Sequence, residues 1–197
     1  MLALERLSQL FPRICPNKLM SIITKKICLL GDFNVGKTSL VRRFVEDKFS
    51  DRYLSTVGVK VSRKSARVQT DTDWQQIDLL VWDLEGNTKF KSITPSYLKG
   101  ASGSIIVADL TRSSTFKNLN QHIKLFLEVN PKGAVVIALN KADLIPQEKL
   151  EQLVENYKSH DFNRIVNIYT TSAKTGESVD IMFDELAKVV TSATRQQ

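Results

Sequence analysis

Several short runs of this sequence are apolar at every position, and they constrain the fold more than any other feature. The clearest are residues 105–108 and residues 135–139. A strand that is apolar on both sides must be covered on both sides, which is typical of parallel strands between two layers of helices. Runs of this kind, or of β-branched residues, predict six strands, at 22–30, 57–68, 74–82, 103–109, 134–140 and 165–169.

Helical spacing of apolar residues occupies most of the segments between these strands. It predicts helices at 38–46, 116–127, 150–157 and 181–190. Only the strands at 57–68 and 74–82 follow one another directly, joined by the turn-like residues 70–73, which predicts an antiparallel hairpin. The chain is therefore predicted to form an α/β fold with a mostly parallel sheet.

Composition limits the class of protein without indicating a function. A chain of 197 residues with 42% hydrophobic residues suits one globular domain, and charged residues interrupt every apolar stretch before it reaches the length of a membrane span. Its two cysteines cannot form a disulfide framework, so we expect a reducing, cytoplasmic setting. The net charge of +7 suits an anionic partner or solubility alone.

The N-terminal residues differ from the rest of the chain. Leu4, Leu7 and Ile14 are loosely spaced along one helical face, while Pro12 and Pro16 limit a helix there to about two turns. We predict a flexible N-terminal extension at residues 1–19 and a single domain at residues 20–197. The alternative for the extension is an arm that docks on the domain or on a membrane surface.

The segment Gly31-Asp32-Phe33-Asn34-Val35-Gly36-Lys37-Thr38 fits the pattern G-x-x-x-x-G-K-[ST], between a predicted strand and a predicted helix. In such a loop, backbone N–H groups converge on phosphate oxygens, and the helix N-terminus adds partial positive charge. Lys37 is expected to reach the β- and γ-phosphates and the Thr38 hydroxyl to bind Mg²⁺. The predicted phosphate-binding residues are Asn34, Val35, Gly36, Lys37, Thr38 and Ser39.

Asp83 and Gly86 follow another predicted strand and belong at the same edge of the sheet, because the carboxyl ends of parallel strands meet there. A carboxylate at this place suits Mg²⁺ binding through water. Gly86 is expected to offer its N–H to the γ-phosphate. Asp83 is therefore a predicted metal-binding residue and Gly86 a predicted nucleotide-binding one.

The segments that follow the last two strands suit recognition of a base. In Asn140-Lys141-Ala142-Asp143, the Asp143 carboxylate can accept from the N1–H and exocyclic amino group of guanine, which adenine does not offer, and the Lys141 stem can lie along the base. In Ser172-Ala173-Lys174, the Ala173 N–H is expected to bind the guanine O6, with Ser172 and Lys174 bracing the loop.

Together and in this order, these segments resemble those of Ras-superfamily small GTPases, most of all the Rab branch, over about residues 24 to 192. The resemblance extends to residues 48–59, which are similar to the first switch of that branch, and to Asp109-Leu110-Thr111. It implies a P-loop three-layer fold, with a six-stranded sheet that has one antiparallel strand and about five flanking helices. It also implies that Thr56 binds Mg²⁺ and the γ-phosphate only in the triphosphate state. Phe49 is expected to pack edge-on to the guanine, the alternative being a core aromatic.

The chain departs from the family pattern at the catalytic positions. The family sequence Asp-x-x-Gly-Gln appears here as Asp83-Leu84-Glu85-Gly86-Asn87, so the glutamine that orients the attacking water is replaced by the shorter Asn87. Glu85 adds negative charge, and Phe33 and Asn34 stand where the family carries small residues. The predicted catalytic residues are Lys37, Thr56 and Asn87, and we expect slow hydrolysis. A K⁺ ion near Asn34 that neutralises charge between the β- and γ-phosphates is an alternative.

The predicted function is a Mg²⁺-dependent GTP/GDP-binding switch, monomeric, with an effector, an exchange factor and an activating protein as partners. The last residues contain no cysteine, so no lipid anchor is expected. The alternative is a scaffold module that binds guanine nucleotide but is deficient in hydrolysis. A nucleic-acid-binding protein would depend on the net charge and on Arg63, Lys64 and Arg67, which we expect instead at a solvated strand edge.

Overall fold

The computed structural model describes residues 22–50, 56–69, 74–86, 94–150 and 165–192. Within them the strands are β1 (Ile23–Gly31), β2 (Val59–Gln69), β3 (Trp74–Leu84), β4 (Gly103–Asp109), β5 (Ala134–Asn140) and β6 (Ile165–Thr171). The α-helices in these ranges are α1 (Lys37–Glu46), α2 (Thr94–Leu98), α3 (Ser113–Val129) and α4 (Val179–Ser192). Ala142–Leu144 is a short 3-10 helix, and residues 147–150 are also helical.

The six strands form one sheet in the order β2-β3-β1-β4-β5-β6. β2 runs antiparallel to β3, and the other pairings are parallel. β3 and β4 lie on opposite sides of β1, so the strand order reverses direction at β1. A crevice forms there at the carboxyl ends of the strands. The predicted six-stranded, mostly parallel α/β fold with one antiparallel strand is confirmed.

Each face of the sheet carries its own hydrophobic core. On one face α1 and α4 pack together through Phe44 and Phe183, whose rings stack with centroids 3.9 Å apart. On the other face α3 contributes Leu119, Ile123 and Phe126. All seven residues of β4 are buried, as expected for a strand covered on both sides.

Most element boundaries lie close to the sequence prediction, but α2 matches none of the helices predicted from the apolar spacing. β2 begins at Val59 rather than at 57, because Gly58 has a φ of 75°, which interrupts the extended backbone. Of the third predicted helix, at 150–157, only residue 150 is described, at the end of the helical residues 147–150, so this helix stays a prediction. The 70–73 connector and the 1–19 extension also lie outside them, so the domain division stays a prediction.

The helices among the described residues are too short or too polar to cross a bilayer.

Candidate functional site

The loop between β1 and α1 adopts a backbone that ordinary side chains rarely permit. Asn34 has a φ of 60° and Gly36, which caps α1, a φ of 97°. A Cβ atom at Gly36 would collide with the side-chain amide of Asn140, so this position requires glycine. The loop therefore curls around the N-terminus of α1, where backbone N–H groups are available to an anion.

Lys37 is held beneath this loop. Its side chain is buried, and its Nζ donates to the carbonyl oxygens of Gly31 at 2.8 Å and Asp32 at 2.7 Å. Burial lowers the pKa of Lys37 to about 8, against the opposing charges of Asp83 and Asp32. The loop thus fixes the Lys37 ammonium at the base of the crevice.

Asp83, Thr38 and Thr56 form a cluster of oxygen atoms beside Lys37. The Thr38 hydroxyl donates to Asp83 Oδ2 at 2.5 Å, and the Thr56 hydroxyl lies 2.8 Å from that of Thr38 and 3.4 Å from Asp83 Oδ2. Asp83 Oδ1 is buried and has no hydrogen-bond partner in the described part of the chain. Burial raises the pKa of Asp83, against the hydrogen bond from Thr38. An unsatisfied carboxylate oxygen beside two hydroxyls is a set of donors that fits Mg²⁺.

The loops after β5 and β6 are joined to each other and to the phosphate loop. Asn140 Nδ2 donates to the Val35 carbonyl at 2.9 Å, and Asn140 Oδ1 accepts from the Ala173 N–H at 3.3 Å. The Ser172 hydroxyl donates to Asp143 Oδ1 at 2.6 Å. Ser172 therefore orients the Asp143 carboxylate.

These loops are held in place by Arg43, which sequence reasoning missed, and by Asp109, which it noted only as part of the family resemblance. Arg43 of α1 donates to the carbonyl oxygens of Ala173 at 2.9 Å and Lys174 at 2.7 Å. Asp109, at the end of β4, pairs with Lys141 at 2.7 Å. Burial raises the pKa of Asp109, but hydrogen bonds from Lys141 and Thr111 outweigh it, and the pKa lies below its usual value. No pattern in the sequence distinguishes Arg43 from Arg42.

The phosphate loop, residues 31–38, also makes hydrogen bonds to α3, which the sequence did not indicate. Asp32 Oδ2 accepts from Asn118 at 2.8 Å, and its Oδ1 lies 2.9 Å from His122 Nε2. Arg112, just before α3, donates to the Phe33 carbonyl at 2.8 Å. The one hint of these contacts in the sequence is the acidic residue Asp32 at the second position of the motif.

These elements enclose a cavity of about 400 Å³. The predicted site residues that line it are Asn34, Gly36, Lys37, Thr38, Ser39, Phe49, Thr56, Gly86, Asn140, Lys141, Asp143, Ala173 and Lys174. Val35, Asp83 and Ser172 are buried and support this lining from behind. Phe49 both lines the cavity and packs against the core, so the two interpretations of it are compatible. Asn87 lies outside the described residues.

The basic residues considered for nucleic-acid binding lie on the edge strand β2. Arg63 pairs with the Asp78 carboxylate, and Lys64 donates to the Phe44 carbonyl at 3.0 Å. Two of the three cations are therefore engaged within the domain.

This arrangement of loops at the carboxyl ends of the strands is that of a Ras-type domain, and the chain belongs to the Ras family, whose model matches residues 26–192. It is a Rab-like small GTPase. It is 36% identical to the dog Ras-related protein Rab-13, over 83% of this chain and 78% of that protein. It is 35% identical to the dog Ras-related protein Rab-22A, over 88% and 87%, and 34% identical to the fission yeast GTP-binding protein ypt5, over 84% and 77%.

Proposed function

We propose that this protein is a Mg²⁺-dependent guanine-nucleotide switch that hydrolyses GTP slowly. The observation that carries the proposal is the convergence of the phosphate loop, the Asp83 cluster and the Asp143 loop on one cavity. A cavity of about 400 Å³ lies within the range of volumes typical of small-molecule binding sites.

The polar groups in the cavity support separate binding of the phosphates and the base. Lys37 and the N-terminus of α1 provide positive charge for the phosphates. At the other end Asp143, oriented by Ser172, offers its carboxylate to donors on a base. Guanine presents two adjacent donors that adenine lacks, so a carboxylate at the cavity wall favours guanine over adenine.

The oxygen cluster supports the dependence on Mg²⁺. Thr38, Thr56 and Asp83 would hold the ion, Asp83 through water, and the ion would neutralise charge on the β- and γ-phosphates. Asp83 is the residue most in need of a cation, because one of its oxygens is buried without a partner in the described residues.

Slow hydrolysis is proposed from the replacement of glutamine by Asn87. Ras-type enzymes hydrolyse GTP at about 10⁻⁴ s⁻¹ even with the glutamine, and an activator's arginine accelerates this about 10³–10⁵-fold. Phe33, 45% exposed at the mouth of the cavity, would obstruct an arginine brought by a partner. A module that binds guanine nucleotide and scarcely hydrolyses it remains the second candidate, favoured by the same two residues.

A K⁺ ion near Asn34 is the alternative to slow turnover. Asn34 lines the cavity, and a monovalent cation there would neutralise phosphate charge as an arginine does. GTP turnover is measured in KCl and in NaCl at equal ionic strength, with wild type and Asn34→Ala. Equal slow rates support the proposed slow switch, whereas K⁺-dependent turnover lost in Asn34→Ala supports the ion.

The proposed partners are an effector, an exchange factor and an activating protein. We also propose that the protein is a cytoplasmic monomer without nucleic acid among its ligands.

Calorimetric titration with GTP, GDP, ATP and ADP, each with and without Mg²⁺, tests the proposal. The expected result is tight binding of GTP and GDP that weakens on removal of Mg²⁺. Equal affinity for ATP and GTP would contradict the guanine assignment. Affinity unchanged by a chelator would contradict the metal site.

A further inference from the structure

Glu85, the residue after β3, contacts the residue that precedes β2. Its N–H donates to the Gly58 carbonyl at 2.9 Å, and its Oε2 accepts from the Gly58 N–H at 2.9 Å. The regular pairing of the two strands ends one residue earlier, at Val59 opposite Leu84. Glu85 therefore extends the pairing by one residue, with its carboxylate as one of the two acceptors.

Because the Glu85 carboxylate replaces a main-chain carbonyl as the acceptor, the backbone after Glu85 is free to leave the strand direction. In a regular antiparallel pair the two residues exchange two main-chain hydrogen bonds, which keeps both backbones extended. Here the carboxylate holds Gly58, and the next residue, Gly86, lies against the phosphate loop. A Cβ atom at Gly86 would collide with the Asp32 carbonyl and the Lys37 ammonium. Glu85 thus pairs with Gly58 at the end of the β2–β3 hairpin, and the chain continues directly from it to the phosphate loop.

Both main-chain polar groups of Gly58 are held by Glu85. A Cβ atom there would meet nothing within 4 Å in the described structure, so no side chain packs against Gly58 from that direction. Two residues earlier, Thr56 contacts Thr38 and lies 3.4 Å from Asp83 Oδ2. The two hydrogen bonds between Glu85 and Gly58 join protein atoms and need no atom of a nucleotide.

We propose that Glu85 is a positioning residue that holds Gly58 against the end of β3 whether the bound nucleotide has two phosphates or three. The proposal rests on the proposed binding of guanine nucleotide. In a switch of this kind, loss of the γ-phosphate releases the loop that carries Thr56. A charge-assisted hydrogen bond within the protein opposes that release, because it persists after the phosphate has left.

Hydrogen exchange at the Gly58 amide tests this, because that hydrogen is the one donated to Glu85. The full-length protein is loaded with GDP or with a non-hydrolysable GTP analogue, and amide exchange is followed by NMR. In wild type we expect the Gly58 rates in the two forms to agree within about threefold. In Glu85→Ala we expect exchange in the GDP form to rise about tenfold or more, the factor that one charge-assisted hydrogen bond provides.

Two further variants separate this role from general destabilisation. Glu85→Gln retains an oxygen acceptor without the charge, so its Gly58 exchange should fall between the rates of wild type and Glu85→Ala. Glu128→Ala removes an exposed glutamate on α3 and should leave the Gly58 rates unchanged. Melting temperatures of all variants are recorded beside the exchange rates.

The wild-type protein alone can overturn the inference, so the test does not depend on the folding of Glu85→Ala. A Gly58 amide that exchanges about tenfold faster in the GDP form of wild type would do so. Unchanged protection in a folded Glu85→Ala protein would do so as well. If the protein binds no guanine nucleotide in the loading step, the proposed function itself fails, and this inference with it.

Discussion

At the residue scale, Lys37 and Thr38 should determine phosphate and metal binding. Lys37→Ala removes the buried cation beneath the loop, and Thr38→Ala removes a hydroxyl that contacts Asp83. Each change should weaken binding of Mg²⁺–GTP by about 10–100-fold, because a hydrogen bond to a charged group contributes about 1.5–3 kcal/mol. Calorimetry measures both effects.

The two variants should differ when Mg²⁺ is removed. Thr38→Ala should then bind GTP as weakly as wild type does without the ion, whereas Lys37→Ala should remain weaker than wild type. Wild-type affinity in both variants would show that the phosphates bind elsewhere.

Asp143 should control the choice of base. In the structure the Ser172 hydroxyl holds one of its oxygens at 2.6 Å, which orients the carboxylate at the cavity wall. Asp143→Ala should lower the GTP-to-ATP affinity ratio by at least about 100-fold, since sites that hydrogen-bond a ligand strongly reject analogues without the partner groups. Competition binding with both nucleotides measures the ratio. Lys37→Ala is the matched contrast, because it should weaken both nucleotides alike.

At the element scale, α1 should stabilise the base loop through Arg43. This side chain joins α1 to the carbonyl oxygens of Ala173 and Lys174. Arg43→Ala removes both hydrogen bonds, about 0.5–1.5 kcal/mol each, and should accelerate GDP dissociation by about 5–100-fold. Release of a fluorescent GDP analogue measures the rate.

Two control variants separate the loss of these hydrogen bonds from the loss of a positive charge. Lys124→Ala, an exposed cation on α3, should leave GDP dissociation unchanged. Arg43→Lys should give an intermediate rate, because one ammonium cannot reproduce the fork of a guanidinium. A wild-type rate in Arg43→Ala would mean that the base loop is stable without α1.

At the scale of the whole molecule, both faces of the sheet carry a hydrophobic cluster among the described residues. β1 begins at Ile23 and lies in the middle of the sheet, between β3 and β4, and the described members of both clusters lie after position 26. Deletion of residues 1–19 should therefore leave a folded protein whose GDP affinity is within about twofold of the full chain. Circular dichroism and calorimetry provide the measurements, and an insoluble truncation would show that the 1–19 segment completes the core.

The sequence was sufficient for the fold and for most of the candidate site because both follow from local patterns. Strands apolar on both faces require two helical layers, and the β4 residues are indeed all buried. Parallel strands bring their carboxyl ends together, so Lys37, Asp83, Asp143 and Ala173 could be placed at one edge from the order of the segments alone.

Only the tertiary structure decided which residues support that edge. Arg43 and Ala173 are 130 positions apart, and Asp32 and His122 are 90 apart. Such contacts leave no periodic trace in the sequence, because they depend on how two packed helices meet the loops rather than on any local preference. The contact between Glu85 and Gly58 could not be read from the sequence either, although the two residues are only 27 positions apart. The sequence revealed an unusual glutamate, and the pairing of β2 with β3 determined which residue it contacts.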